Sequence, residues 1–490
     1  MCFTKIFEDE DLSTKILNEV CSRSKPGKDK VTFKKFKEDF KETSISIKKK
    51  ISNKTYKFTR FETILKTKKH YQLPRLIFKS TIRDRYVAKL MYEYLKSIYE
   101  QKGISSGISK SRYYILQEIS KLIIQKNDSD EFLYNGYIRL DIRSYYDSIN
   151  RYLLKKQIYD DCQDDVFLAL VDNLFLTMDM SKEKPNGYGI PQGISVSSIF
   201  AERYLNDFDK QFESKKTEVK ILRYVDDILV LVGDTTYLEE VKQKIIFELY
   251  SKYGLELNED KMESGNINND DFEFLGTKFE HRKVSISDKQ MNRVKQQLIE
   301  LFKWYTKISH DGSFDVSRNV TKYDVSTKRL QETLVEKLNL LITGYFYKRE
   351  KDESFAKYGW VLTSLPCYLT NLDKLKELDR YVGFLLKNYL QDEDFKEQHN
   401  IKSFYMTFIN FYYNQNCYNY VLDRDVIEQD DEKMYKITCN LSMVDIKKGL
   451  KYDEYDKEEF ERAVEDSLKN YFKKTLYISN RNLTSDILYW

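Results

Sequence analysis

The sequence predicts an α+β region followed by a helical C-terminal part, and three observations carry that expectation. Ten of the sixteen glycines lie between Gly103 and Gly276, where short apolar, β-branched runs alternate with helical periodicity. Beyond Gly276 only one proline, Pro366, remains, so little interrupts a helix there. Downstream of about residue 285 apolar residues recur every three or four positions, the period of one helix face. A chain of 490 residues is long enough for two or three domains. We place them at 1–130 (basic, N-terminal), 131–285 (α/β) and 286–490 (all-helical).

The N-terminal region is defined by charge. The net charge is only +4, but Lys48 to Lys89 holds fourteen Lys and Arg against two acids, Glu62 and Asp84. That stretch is therefore +12 and the remaining chain −8. Such a concentration suits a polyanion partner, and Lys48, Lys49, Lys50, Lys54 and Lys57 are its candidate nucleic-acid contacts. A solvated charged face accounts for the pattern equally well. The six cysteines are scattered and form no CxxC pair, which argues against structural zinc and a disulfide framework. The N-terminal MCFTKIFEDEDL lacks a signal-peptide pattern, and no 18-residue apolar run occurs, so the expectation is a reduced, cytoplasmic protein without membrane contact.

In the middle region, Tyr137–Ile142 reads as a strand with Asp141 near its end. Val219–Val232 reads as a hairpin with apolar arms and Asp226-Asp227 as its turn. Carboxylates at the tip of an apolar hairpin are costly unless neutralised. An isolated Asp-Asp turn is explained by ordinary turn chemistry; a third aspartate on a neighbouring strand changes the reading. Nucleotidyl transfer uses two Mg²⁺ ions roughly 3.5–4 Å apart, and hard oxygen ligands from two or three carboxylates suffice to hold them. Between strand and hairpin lies Gly187-Tyr-Gly-Ile-Pro-Gln192-Gly193, whose glycines allow backbone to approach a flat ligand. Its GxGxxxG spacing is not the dinucleotide-binding fingerprint.

In the C-terminal part, Met291, Val294, Leu298, Leu301, Phe302 and Tyr305 form one helical stripe. Leu334, Val335, Leu338, Leu341 and Ile342 form another, followed by Leu372, Leu375, Leu378, Val382, Leu385 and Leu386, and later by Phe460, Val464, Leu468 and Phe472. These are core faces.

Taken together, the ordered blocks resemble the reverse transcriptase family. LDIRSYYDSI (140–149) is similar to its first palm motif, and GIPQGISVSSIFAERYLNDFD (189–209) to its template-and-nucleotide-positioning motif. RYVDDILVLV (223–232) is similar to its aromatic-x-Asp-Asp hairpin, and GLELNEDKMESG (254–265) with FEFLGTKF (272–279) to the two motifs that follow. LPRLIFKSTIRDRYV (73–87) and SSGISKSRYYIL (105–116) resemble its fingers motifs. The resemblance covers roughly residues 70–285 and implies a right-hand polymerase palm with helical fingers, then a helical thumb and C-terminal domain.

The resemblance also implies roles. Asp141, Asp226 and Asp227 would be the catalytic metal carboxylates for two Mg²⁺ ions, with Mn²⁺ able to substitute. Tyr146 would be the steric gate against a 2′-hydroxyl, with an ordinary core aromatic as the alternative. Arg75, Lys79 and Lys261 would contact the incoming triphosphate, Gln192 and Gly193 would sit under the nascent base pair, and Leu275-Gly276 would form the primer-grip turn. No RNase H or zinc-bearing endonuclease region follows the polymerase blocks. The layout is similar to bacterial abortive-infection and other defence-associated reverse transcriptases. That implies cDNA synthesis from dNTPs in antiphage defence, on an RNA template that includes a dedicated non-coding RNA among its candidates, or untemplated synthesis, with a protein hydroxyl as one candidate primer. A homo-oligomer stays open. An RNA-dependent RNA polymerase and a palm retained as a non-catalytic RNA-binding scaffold are the rivals.

Overall fold

The computed structural model describes residues 2–21, 25–66, 75–102, 112–179, 187–213, 219–311, 313–315, 322–324, 327–343, 345–348, 355–358, 360–361, 365, 368–390, 395 and 399–412. Lys68, Lys69, the Leu73-Pro74 pair, the 105–111 part of the second fingers motif and the Phe460–Phe472 stripe lie outside the described residues. The chain forms two compact units, Met1–Leu275 and Gly276–Trp490.

In the first unit, helices α1 (Glu10–Ile16), α2 (Phe33–Glu38) and α3 (Phe40–Ser52) precede a hairpin of β1 (Glu62–Lys66) and β2 (Arg75–Lys79). Helix α4 (Ile82–Gln101) is started by Thr81, whose hydroxyl accepts from the Asp84 amide. It buries Tyr86, Leu90, Met91, Tyr94 and Leu95 at helical spacing. After α5 (Arg112–Leu122) comes a four-stranded antiparallel sheet of β3 (Gly136–Asp141), β4 (Val219–Tyr224), β5 (Asp227–Val232) and β6 (Glu263–Asn266), in the order β4-β5-β3-β6. Between β3 and β4 the chain forms α6 (Tyr145–Ser148), α7 (Arg151–Cys162), α8 (Asp165–Asp179) and α9 (Ser195–Glu213), and α10 (Leu238–Tyr253) follows β5. Helix α9 packs on β4, and α10 packs on β3. The central strands are therefore covered, and β5 reads as the continuous apolar run Ile228–Val232, buried throughout. One core runs from Phe3 to Leu255, so no boundary falls near residue 130: the N-terminal region and the sheet are one body.

The second unit begins earlier than the expected 286. Strands Thr277–Glu280 and Lys283–Ser285 pair with each other, and the Val284 carbonyl accepts from the Thr370 and Asn371 amides, which ties them to later residues of that unit. Helices α11 (Asp288–Asp311) and α12 (Thr327–Thr343) and the helix Asp373–Leu390 pack together. All six stripe residues of α11 are buried, as are Leu334, Leu338, Leu341 and Ile342 in α12. The unit is not purely helical: Ser313–Asp315 pairs with Lys322–Asp324, and Tyr345–Lys348 with Phe355–Tyr358. Aromatic-rich Tyr345–Lys348 has the composition that favours a strand over a helix. Among the described residues no helix is long and apolar enough to cross a membrane.

Candidate active site

The antiparallel register brings the aspartates together. Asp141, the last residue of β3, stands directly across from Asp227, the first of β5. Directly opposed residues in such a ladder have Cα atoms about 4.5–5.5 Å apart. The Ile142 amide donates to the Asp226 carbonyl at 3.0 Å, extending the join by one residue. The hairpin turn differs from the expected Asp-Asp pair. Tyr224 pairs with Asp227, so the two turn residues are Val225 and Asp226. Val225 has φ +59°, a left-handed conformation that β-branched residues avoid. Strand pairing rather than turn preference sets this position, and the cost of such strain, of order 1–3 kcal/mol, is met by surrounding structure.

Arg223 supplies part of that support. Its buried guanidinium donates to the Val225 carbonyl at 3.0 Å, to Asp209 at 2.6 Å and to Glu202 at 3.0 Å. Glu202 and Asp209 lie seven residues apart on α9, two turns along one face, so both reach one arginine. The sequence reading missed this triad. Its signal was present: an arginine inside the buried strand KILRY requires carboxylate partners.

The electrostatics are those of crowded carboxylates. Burial raises the Asp226 carboxyl; its own backbone hydrogen bond opposes this, the charge of Asp141 adds to it, and Arg75 and Lys261 draw it back. Burial, then the charges of Asp226 and Asp141, push Asp227 up to about 6 against Arg139 and Lys261. Asp141 is held from the side: Lys261 Nζ donates to its two oxygens at 2.8 and 2.9 Å, and Asn258 Nδ2 to one of them at 3.4 Å. Lys261, expected at the triphosphate, is thus paired with a carboxylate, as follows when a cation has an uncompensated anion within reach. Among the described residues no three acidic, His or Cys groups converge closely enough to hold a metal ion as they stand. The donor set nevertheless fits a hard divalent ion: three carboxylates at adjacent strand ends, two of them raised by burial and mutual charge. Turning Asp141 away from Lys261 is a side-chain rotation.

Tyr146 follows in α6, half-buried, its ring edge-on to Tyr145 at 6.1 Å. Burial and then the Asp226 charge raise its hydroxyl, which places the ring within the field of the carboxylates. Its carbonyl accepts from the Ile190 amide at 2.8 Å, tying it to the glycine loop. That loop is pinned by Arg151, which donates to the Tyr188 and Gly189 carbonyls and to Asp179, each at 2.6 Å. Arg151 was also missed. Gly187, Gly189 and Gly193 all have positive φ. At Gly193 a Cβ would come within 2.8 Å of Ile77 and 2.9 Å of the Phe78 carbonyl, so only glycine lets the loop lie against β2. The Gln192 carbonyl accepts from the Phe78 amide at 2.8 Å. This loop therefore couples the β1–β2 hairpin to the aspartates.

The basic candidates divide. Arg75 is close enough for its charge to act on Asp226 and Tyr146. Lys79, at the other end of β2, pairs with Glu62 at 2.9 Å because the strand register sets the two opposite each other. Lys48 pairs with Glu8 at 3.3 Å and Lys54 with Asp165 at 3.8 Å, which leaves Lys49, Lys50 and Lys57 as exposed cations of that group. Leu275 and Gly276 form a turn with φ +48° and +72°, and the Leu275 carbonyl accepts from Arg112 Nε at 2.8 Å.

Residues 64–279 match the family described as reverse transcriptase (RNA-dependent DNA polymerase). Protein YkfC of Escherichia coli (strain K12) is 24% identical over a match covering 40% of this chain and 60% of YkfC, so the chain spans less than two thirds of that relative. Among solved structures, apo telomerase from Candida tropicalis truncated from its C-terminal domain is 17% identical, with a TM-score of 0.35 over 46% of this chain and 54% of the telomerase chain. Telomerase from Candida albicans in complex with a TWJ fragment of telomeric RNA is 12% identical, with a TM-score of 0.40 over 94% and 68%.

Proposed function

We propose that this chain, whose residues 64–279 match the reverse transcriptase family, is an RNA-templated DNA polymerase with its reaction centre at Asp141, Asp226 and Asp227. The observation that carries the reading is the register of β3 on β5, which gathers the three carboxylates at one sheet end beside Tyr146 and Arg75.

In the reaction a primer 3′-hydroxyl oxygen bonds to the α-phosphorus of a dNTP, its proton passes to solvent, the bond to the bridging oxygen breaks, and pyrophosphate leaves. Two Mg²⁺ ions, replaceable by Mn²⁺, would when held by the three aspartates activate that hydroxyl and neutralise the triphosphate. Arg223 keeps the Val225–Asp226 turn in place through the Val225 carbonyl, so the backbone that carries Asp226 needs little reorganisation. Arg75, whose charge already acts on Asp226 and Tyr146, would draw on the triphosphate charge. Lys261, which now pairs with Asp141, would be free to meet the same group with Asp141 turned toward an ion. The Tyr146 ring, edge-on to Tyr145 and with its own backbone carbonyl bonded to the glycine loop, would meet a 2′-hydroxyl and so favour deoxynucleotides. Gln192 and Gly193 position the base pair through a loop whose backbone is fixed to β2. Leu275-Gly276 is the candidate primer grip. A role in bacterial antiphage defence, a dedicated non-coding RNA template and a protein primer extend the reading; the resemblance to defence-associated enzymes supports them.

The test is primer extension by the full chain with Mg²⁺ and dNTPs against Asp226→Asn and Asp141→Asn. Loss of one ligand group should lower the rate on the order of a thousandfold or more. A folded Asp226→Asn protein that extends primer at near the wild-type rate overturns the assignment. Preference for NTPs over dNTPs would assign an RNA polymerase instead.

A further inference from the structure

A depression lined by cations lies at the other end of β2 from Arg75. It measures about 680 Å³ and is walled by Gly27, Lys28, Lys30, Arg60, Glu62 and Lys79, among others. Four cations thus face one carboxylate, and that carboxylate is taken by Lys79 at 2.9 Å. Among the described residues Lys28, Lys30 and Arg60 have no acidic partner. Lys79 is four residues along β2 from Arg75, about 13 Å at strand spacing, and none of Asp141, Asp226, Asp227 or Arg75 lines this pocket.

The walls are built rather than incidental. The Lys30 amide donates to the Gly27 carbonyl at 2.9 Å, closing a tight turn in which Lys30 has φ +58°. Gly27 is pressed so closely on α4's cap that a Cβ would lie 2.7 Å from Thr81 Cα and 2.8 Å from the Ser80 carbonyl. Arg85 donates to the Lys25 carbonyl at 3.0 Å, fastening the same turn from before its start. The segment before Arg60 is held by the fully buried Asp84, which accepts from Tyr56 Oη at 2.7 Å and the Thr59 amide at 2.9 Å. Arg83 adds bonds to the Lys57 carbonyl and Thr59 Oγ1. Three unpaired cations are thereby mounted on rigid backbone around a hollow of nucleotide size, the condition under which ordering costs little on binding.

We propose that this pocket binds the polyphosphate group of a nucleotide, carried by a free nucleotide or by the 5′ end of an RNA. Three cations against one already paired carboxylate match a group bearing three or four negative charges, and Arg60 can meet phosphate oxygens in a fork. The site is independent of the proposed polymerase chemistry, so either can fail without the other.

Titration calorimetry of the full chain with inorganic tripolyphosphate, in EDTA and low salt, tests it, because chelation removes any metal bridge to the aspartates. Wild type should show one saturable site. The combined Lys28→Ala, Lys30→Ala, Arg60→Ala variant should bind at least tenfold more weakly; all three residues are exposed, and a melting curve checks the fold. Glu62→Gln should bind severalfold more tightly, an opposite sign that misfolding does not produce. A 5′-triphosphate RNA outcompeting its 5′-hydroxyl counterpart in wild type but not in the triple variant assigns the RNA end. ATP displacing tripolyphosphate, with no effect of the RNA 5′ group, assigns a free nucleotide. No saturable binding, equal binding by the triple variant, or no competition from either probe overturns the proposal.

Discussion

Asp227→Asn should make the metal-free protein more stable at neutral pH while destroying the reaction centre. Burial and the charges of Asp226 and Asp141 raise the Asp227 carboxyl from the ordinary 3.8 to about 6. An acid whose folded-state value is raised contributes stability below its unfolded value, and that contribution disappears as the pH climbs through the folded one. Wild type and variant should therefore match near pH 4, diverge between pH 4 and 6, and hold a constant gap above that. A displacement of about two units corresponds to a ceiling of about 3 kcal/mol. For a unit of this size that is roughly 4–6 °C in Tm. Differential scanning calorimetry in EDTA at pH 4.5 and 7.5 reads the gap, following the transition assigned to the first unit because two units need not unfold together. Millimolar Mg²⁺ should then raise wild type more than the variant. A variant less stable than wild type at pH 7.5, or a gap that ignores pH, would show that Asp227 is not held in an uncompensated cluster.

Three further outcomes follow from the same geometry. Tyr146→Ala should raise incorporation of ribonucleotides relative to deoxynucleotides in single-turnover extension assays; an unchanged ratio makes the ring a core residue and moves the gate elsewhere. Arg223→Met leaves the half-buried Glu202 and Asp209 beside an apolar chain and should cost up to about 3–5 kcal/mol in denaturant unfolding. Arg223→Lys should keep part of that stability yet lower the rate of synthesis, because lysine has no fork to reach the Val225 carbonyl as well, and full activity in the lysine variant would remove the positioning role. Charge reversal at Lys49 and Lys50, the two exposed members of the lysine run in α3, should weaken RNA binding and flatten its salt slope by about one unit for each phosphate no longer neutralised, and unchanged filter-binding curves between low and moderate salt would assign them to solvent.

What the sequence determined by itself is what depends on neighbours along the chain. Alternation and apolar runs announce β3, β4 and β5, and three- to four-residue stripes announce α11, α12 and the helix Asp373–Leu390, because a strand or helix face is written in nearby residues. The order of the motif blocks points to the same chemistry as the strand ends that carry the aspartates. Tertiary structure decided whatever depends on partners far away in sequence. Residue preference favours Asp226-Asp227 as the turn, yet pairing Asp141 with Asp227 moves the turn back to Val225-Asp226 and forces a β-branched residue to positive φ. Lys79 and Lys261 look alike as triphosphate contacts in the sequence. The register of β1 on β2 gives one to Glu62, and the closeness of residues 258–261 to β3 gives the other to Asp141. Arg223 and Arg151 stayed unremarked because a buried arginine acquires meaning only once its acceptors are known, on α9 for the first and in the glycine loop and α8 for the second. Charge and hydrogen bonding act through space over a few ångströms, so their partners are chosen by the fold, whereas periodicity acts along the chain and is legible before the chain folds.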